Sequence, residues 1–421
     1  MYQLILLFAE RFFRLGVGLT SSILIARTLG AEQFGLISSD LAIRSIIIVL
    51  LSLGLESYVL RESSLKESSK LFSSHFLVRL VLNSLYLFVA LVIFNLGDVD
   101  LATTVILISA FFNLFDVREI QFKAKKKVKE LCIISIAIYS IVLAARIYGS
   151  YNKMGLDYFA YTYALEYILG LIAFFVYKRK DQKIIISYEV ITLASQLFKQ
   201  GGFLVASALS VIAFSKIDII MLENIDGPSS AGIYSAATRI SEMWFMIPAI
   251  IMSYLIPRIE GQAKKIFETE VFGMQITVAL SYFFLIVVYF CSEPLITFLY
   301  GNDYIAASNI LKIHAVASIF VSLGTSQAVF FYRNNLVWYS TVKNVVAVCC
   351  AIGLNYIFIP KYGAQGAAIA TVLAFSVSTL IMNALNKRTN EIFIQNIRAL
   401  LLLDIIEILN LLREKNVKSS C

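Results

Sequence analysis

Stretches of apolar residues, each long enough to cross a bilayer, follow one another through this chain with little between them. A helix satisfies its own backbone hydrogen bonds over the about 20 residues needed to span hydrocarbon, which no lipid-exposed loop or open sheet does. The pattern therefore predicts an all-α integral membrane protein with about 12 transmembrane helices. They begin near Leu4, Phe34, Phe76, Leu101, Leu131 and Tyr158, then near Gln196, Gly232, Val271, Ala306, Val337 and Gly366. Of 421 residues, 59% are hydrophobic and 15% charged, against about 25% charged in a soluble domain, so no soluble domain is expected.

The net charge of +8 does not point to nucleic acid, because the cations stand beside helix ends, where they meet lipid headgroups and orient the protein. With the first terminus in the cytoplasm, Arg61, Lys70, the run from Lys123 to Lys129, and the run from Lys178 to Lys183 all fall inside. Arg258, Lys264, Lys265, Arg333, Lys387 and Arg388 join them, while the opposite connections offer little beyond Arg27, Lys153 and Lys361. This alternation puts both termini in the cytoplasm and breaks if any one helix is removed.

A repeat divides the chain. Gly30 and Gly35, followed by Ser38, reappear as Gly227 and Gly232, followed by Ser235, each at an outer turn between an odd and an even helix. Copies in the same direction and at the same depth imply a parallel repeat, two six-helix bundles related by a pseudo-two-fold axis along the membrane normal. The expected domains are residues 1–183 and 184–390, with a cytoplasmic tail at 391–421. In that tail, Ile397 to Leu412 carries Asp404 and Glu407 at helical spacing and reads as an amphipathic helix on the membrane surface or against a partner. The first apolar segment lacks a basic stretch before it and reads as a retained helix.

Cys132, Cys291, Cys349, Cys350 and Cys421 form no CxxC pair, and His75 and His314 are the only histidines, so neither a disulfide framework nor a metal site is expected. Ionisable groups within the apolar segments are more informative, since each costs about 2.5–3.5 kcal/mol on the insertion scale and should face a partner or a wet cavity. Glu10 and Arg14, Asp40 and Arg44, and Arg239 and Glu242 share helix faces by spacing and read either as structural ion pairs or as cavity lining. Lys216 and Asp218 point to different sides of one helix. Arg146, Glu166, Lys312 and Lys343 complete the set, with snorkelling an equal reading for Lys312 and Arg146 and the better one for Arg79 and Lys199. Cations match or outnumber acids, which suits an anionic, phosphate-bearing substrate.

The stretch from Lys216 to Leu222, followed by Ala231-Gly232-Ile233-Tyr234-Ser235-Ala236-Ala237 and Ile247-Pro248, resembles the Wzx-type polysaccharide flippases. So do Ala26-Arg27-Thr28-Leu29-Gly30-Ala31-Glu32-Gln33-Phe34-Gly35, Leu299-Tyr300-Gly301-Asn302-Asp303-Tyr304, and the run from Leu354 to Ala368. The resemblance covers most of the chain and departs at Gln365, where similar sequences often have an apolar residue. It implies a superfamily that also holds multidrug extruders and lipid II flippases, with a V-shaped cavity between bundles. It further implies a bacterial inner-membrane protein that moves undecaprenyl-pyrophosphate-linked oligosaccharide, such as an O-antigen unit for lipopolysaccharide biosynthesis, between leaflets.

The resulting expectation is alternating access without covalent chemistry or cofactor, with Arg44, Arg239, Lys216, Lys312 and Arg146 binding the phosphates. Asp218, with Asp40, Glu166 or Glu242, is the expected site for a coupling proton or sodium ion. Three rivals stay open. An organic-cation extruder wants an acidic, aromatic cavity, and a glycan polymerase or glycosyltransferase wants a long outer loop with acid–base groups. A scaffold for other glycan-assembly membrane proteins would tolerate neutralised buried cations.

Overall fold

The structure, a computed structural model, describes residues 2–63, 68–97, 99–125, 127–176, 187–255 and 263–403. Among these residues there are helices and no strands. Helix α1 (Tyr2–Ser52) is 51 residues long, about 77 Å at 1.5 Å per residue, against a hydrocarbon core of about 30 Å. It is two crossings joined at Gly30, whose φ of 77° and ψ of 176° leave the helical region. After α2 (Glu56–Glu62) and α3 (Ser68–Leu96), α4 (Leu101–Ile108) passes through a 3-10 segment (Ser109–Phe115) into α5 (Asp116–Ala124). Then come α6 (Val128–Tyr151), α7 (Leu156–Val176) and α8 (Tyr188–Asp226). The second part holds α9 (Pro228–Trp244), α10 (Met246–Leu255), α11 (Ala263–Tyr300), α12 (Ala307–Ala315) and α13 (Ala317–Arg333). It closes with α14 (Val337–Ser376), a π-helical turn (Val377–Ile381), α15 (Met382–Leu385) and α16 (Asn390–Leu400).

Among the described residues, eight helical stretches are long and apolar enough to cross a membrane. Dividing the two longest at Gly30 and Gly363, and adding α7 and the α9–α10 pair, gives the twelve crossings the sequence predicts. Outward faces carry bare apolar side chains such as Val81, Leu85, Phe88, Phe290 and Phe298, as lipid contact requires.

Contacts group the chain into two compact units, Met1–Glu223 and Asn224–Cys421. The boundary at 183/184 came from counting crossings; by contacts, α8 up to Glu223 belongs with the first unit, and its anchors are visible. Lys70 Nζ lies 2.6 Å from Glu189 Oε2, and Ser74 Oγ donates to the Val190 carbonyl at 2.9 Å. The Lys70 ammonium holds the exposed Glu189 carboxyl below its ordinary range. Gly54, at φ +60°, lies so close to α8 that a Cβ there would stand 2.6 Å from the Leu204 carbonyl oxygen. Ser39 donates to Glu223 further along.

The glycine repeat has a backbone counterpart. Gly30 (φ 77°, ψ 176°) and Gly227 (φ 96°, ψ 167°) share one conformation, and Gly301 (φ 95°, ψ 175°) repeats it before α12. That region is essentially restricted to glycine, so the spacing seen in the sequence reports a shared turn geometry.

One sequence expectation is corrected here. Arg79 does not snorkel: it is fully buried, and its Nη2 donates to the Asn113 carbonyl at 2.6 Å. A 3-10 segment leaves carbonyls poorly satisfied, and Arg79 caps one from inside the bundle. A helix, α16, forms at Asn390–Leu400, and most of the amphipathic stretch expected at Ile397–Leu412 lies outside the described residues, which end at 403. Helix α16 is part of the second unit's core, with Ile392 and Ala399 packed beside Phe330, Phe331 and Tyr339. There Asn396 joins a buried network in which Lys343 Nζ donates to Gln327 Oε1 at 2.6 Å and Gln327 Nε2 donates to Asn396 Oδ1 at 3.1 Å. The Thr379 carbonyl, in the π-helical turn, accepts from Gln327, Asn383 and Asn396. A π-helical turn frees carbonyls from the regular ladder, and these amides take up one of them.

Candidate functional site

In the first unit α1, α4, α6 and α7 pack on one another and bring several buried polar side chains together. Arg44, on the second arm of α1, is buried and donates from Nη1 to Ser109 Oγ at 3.1 Å. Its guanidinium carbon lies 4.9 Å from the ring centre of Tyr167 and 5.7 Å from that of Tyr163. Arg146, on α6, is buried too; its Nε donates to Thr162 Oγ1 and its Nη1 to Ser21 Oγ, both at 3.1 Å. It lies 4.1 Å from the Tyr163 ring centre and 3.6 Å from Glu166 Oε2. Two guanidinium groups therefore share one tyrosine ring, an attraction worth about 0.5–2 kcal/mol for each. Arg44 keeps a donor in reserve, its Nε being buried without a hydrogen-bond partner among the described residues, while Arg146 Nη2 is the atom that faces Glu166. Spare, fixed guanidinium donors suit the paired oxygens of a phosphate.

Glu10 and Arg14 do pair, at 3.4 Å. Asp40 and Arg44 do not; Asp40 Oδ2 accepts from Thr103 Oγ1 of α4 at 2.9 Å while Arg44 turns to Ser109. Helical spacing places two side chains on one face but does not choose between that neighbour and a hydroxyl on the next helix. Asp218 is buried on α8, where its Oδ1 accepts from the Ile219 main-chain N–H at 2.8 Å, and Lys216 is half-buried one turn fraction away. Arg239 and Glu242, half-buried on α9, belong to the second unit, as does Lys312, whose Nζ lies 5.7 Å from the ring centre of the exposed Tyr289. That posture is the snorkelling one. Of the nine residues named from sequence, Arg44, Arg146 and Glu166 thus form one cluster, and Asp40 stands one turn from it on α1.

Next to this cluster lies a cavity of about 330 Å³, lined among others by Arg14, Asn113, Lys123, Tyr139, Glu166 and Tyr167. Tyr167 and Glu166 are the shared wall: the same residues touch Arg44 and Arg146. The wall carries three carboxylates, Glu56, Glu119 and Glu166, against two cations, Arg14 and Lys123; Lys123 pairs with Glu119 at 2.6 Å, while Arg14 and Glu166 pair with Glu10 and Arg146 outside the lining. Arg44 and Arg146 are not in the wall of this cavity and stand behind Tyr167 and Glu166. Sequence reasoning missed Tyr139, Tyr163 and Tyr167, although Tyr163, Glu166 and Tyr167 share a face of an otherwise apolar helix. Among the described residues, no group of three or more His, Cys, Asp or Glu side chains is placed to hold a metal.

A family profile described as "Polysaccharide biosynthesis protein" matches residues 4–261, a stretch that includes the whole arginine cluster. The chain is 23% identical over 195 residues to the "Probable low-salt glycan biosynthesis flippase Agl15" of Haloferax volcanii, covering 45% of this chain and 41% of that protein. The chain therefore spans about two fifths of that relative's length. It is 23% identical over 315 residues to the "Capsular polysaccharide biosynthesis protein CapF" of Staphylococcus aureus, covering 70% of this chain and 76% of that one. The fold is similar to an inward-facing multidrug resistance MATE family transporter of the MOP superfamily, with a TM-score of 0.70, 13% identity and coverage of 89% and 94% of the two chains. It is also similar to the lipid II flippase MurJ in an inward closed conformation, with a TM-score of 0.67, 17% identity and coverage of 96% and 92%.

Proposed function

From a chain that belongs to the polysaccharide biosynthesis protein family, we propose a non-enzymatic membrane transporter that moves a lipid-linked polysaccharide precursor from one leaflet to the other. The finer reading is an undecaprenyl-pyrophosphate-linked oligosaccharide, such as an O-antigen unit, carried outward across a bacterial inner membrane by a protein with cytoplasmic termini. The observation that carries this function is the pair of buried arginines, Arg44 and Arg146, whose guanidinium groups both lie against Tyr163, with Arg44 Nε unpartnered among the described residues. A phosphate crossing hydrocarbon loses its hydration, and fixed guanidinium donors replace part of it. Arg239, Lys216 and Lys312 are proposed as further headgroup contacts.

The test is flipping of a fluorescent pyrophosphate-linked oligosaccharide lipid in proteoliposomes, followed by accessibility of the glycan to an added reagent. Losing one charge-assisted hydrogen bond, about 1.5–3 kcal/mol, predicts that Arg44→Ala slows flipping by roughly tenfold to a hundredfold. Unchanged flipping in that variant would remove Arg44 from the headgroup site. Coupling is assigned to a proton or sodium ion on Asp218, with Asp40, Glu166 and Glu242 as the other acids. Asp218→Asn is then expected to flip at the same rate with and without an imposed ion gradient that accelerates the unmodified protein. Equal acceleration of both proteins discards that assignment.

One observation favours a second reading. The cavity has two tyrosines and the carboxylates Glu56, Glu119 and Glu166 on its wall, features that an organic-cation extruder would use. Gradient-driven efflux of a lipophilic cation such as ethidium, with no movement of the oligosaccharide lipid, would select it.

A further inference from the structure

The span from Leu101 to Ala124 contains neither glycine nor proline, so nothing in its own sequence interrupts a regular α-helix. Its middle seven residues, Ser109–Phe115, are nevertheless wound as a 3-10 helix. Such runs rarely exceed about four residues, and inside a longer helix they often mark a hinge. Since the chain does not dictate this winding, its neighbours do. Arg44 of α1 donates from Nη1 to Ser109 Oγ at 3.1 Å, on the first residue of the segment, and Arg79 of α3 donates from Nη2 to the Asn113 carbonyl at 2.6 Å, near its end. Tyr86, also on α3, donates to the Leu107 carbonyl at 2.8 Å, and Ser109 Oγ itself donates to the Ile106 carbonyl at 2.6 Å. Side-chain donors thus serve the carbonyls around the change in winding, where the tighter ladder serves them poorly.

Two buried arginines therefore grip the two ends of one segment. One of them, Arg44, is also the arginine whose Nε is unpartnered among the described residues, beside Tyr163 and Tyr167. Beyond the segment lies the part that a change of winding would move. Asn113 from the segment, with Glu119 and Lys123 from α5, lines the cavity together with Glu56, Tyr139 and Glu166 from other helices. Each residue that passes from three to 3.6 residues per turn rotates α5 by about 20° relative to α4 and draws the two about 0.5 Å closer. One turn converted, about four residues, swings the face carrying Glu119 and Lys123 by about 80°. That changes which charges the cavity presents beside Glu56 and Glu166.

We propose that the Ser109–Phe115 segment is a two-state relay: Arg44 and Arg79 hold it in the 3-10 winding, and a phosphate taken up by Arg44 releases Ser109, so that the segment relaxes toward α-helix and α5 resets the cavity wall. The trigger rests on the reading of Arg44 as a headgroup contact. A ligand shifts such an equilibrium only by binding one state better, and here the difference is the Ser109 bond that Arg44 surrenders. Arg79 touches no cargo; it is a positioning residue whose bond to Asn113 sets how strongly the 3-10 winding is favoured.

Double electron–electron resonance on the full chain in nanodiscs reads the relay. The five native cysteines are replaced by alanine, and spin labels are placed at Lys125→Cys, just past α5, and Tyr188→Cys, at the start of α8. Inorganic pyrophosphate is the probe, with chloride at matched ionic strength as its control. Pyrophosphate is expected to shift the label distance by about 5 Å, the arc that such a rotation describes at the helix surface. Ser109→Ala produces the same shift without pyrophosphate and binds pyrophosphate about tenfold more tightly, because Arg44 no longer has a charge-assisted bond to give up. A serine that only supported the fold would leave that affinity unchanged or weaken it. Arg79→Gln moves the distance in the same direction, whereas Arg79→Lys, which keeps a donor for the Asn113 carbonyl, does not; Ser109→Ala carries the test where Arg79→Gln does not fold. The proposal is overturned if Ser109→Ala leaves the distance where the unmodified protein has it, or if it weakens pyrophosphate binding. A shift in Ser109→Ala with no pyrophosphate binding to either protein removes Arg44 as a headgroup contact and leaves the change of winding standing. Binding that needs Arg44 but leaves the distance fixed keeps the headgroup contact and overturns the relay.

Discussion

Gly366→Ala is expected to prevent the second unit from folding stably. Gly366 is buried just past the bend at Gly363, and a Cβ there would fall on the carbonyl oxygen of Phe358, with the Phe358 carbonyl carbon at 2.6 Å and the Ile359 nitrogen at 3.1 Å. All three atoms are backbone, so no side chain can rotate out of the way and the two arms of α14 must move apart. Overpacking of this kind costs about 1–3 kcal/mol where side chains yield and more where they do not. Gly353→Ala, on the same helix with no atom within 4 Å of its Cβ position, is the control and should be neutral or stabilising by up to about 1 kcal/mol. Thermal melting in detergent separates the two. A Gly366→Ala protein that melts with the unmodified one would mean that the close approach of Phe358 is not there.

Arg146→Ala is expected to lose both stability and transport, and a second substitution separates the two losses. Removing the guanidinium strands Glu166 and frees Ser21 and Thr162. Breaking a buried pair costs about 3–5 kcal/mol, toward the lower figure here because the Glu166 side chain is 23% exposed. Replacing both partners by neutral groups of similar size is often close to neutral, so Arg146→Met with Glu166→Gln should recover most of the melting temperature. Flipping should stay depressed, because the phosphate donors are gone. If the double variant regains transport together with stability, Arg146 only holds α6 against α7.

Hydropathy made the crossings legible because lipid imposes one rule on every spanning segment, and the places where it is interrupted, Gly30, Gly227 and Gly363, stand in the sequence as glycines. Glu10 and Arg14 were legible for a similar reason, being neighbours on one helix with a simple answer. Arg44 was found but not its surroundings: Ser109, Tyr163 and Tyr167 come from other helices, and which hydroxyl or ring it meets depends on helix rotation, which hydropathy does not encode. Arg79 was misread because depth along a helix does not reveal that Asn113, in a 3-10 segment, would present a carbonyl to it. The role of Asn396 was not legible, because its partner Gln327 comes from another helix of the core.

Gly30, Gly227 and Gly301 turn the chain through a backbone state that any side chain would forbid. The bends of the scaffold thus rest on glycine itself, and on none of the side chains proposed to touch the cargo. A lineage can therefore revise what it carries, one contact residue at a time, without renegotiating how its helices are hinged.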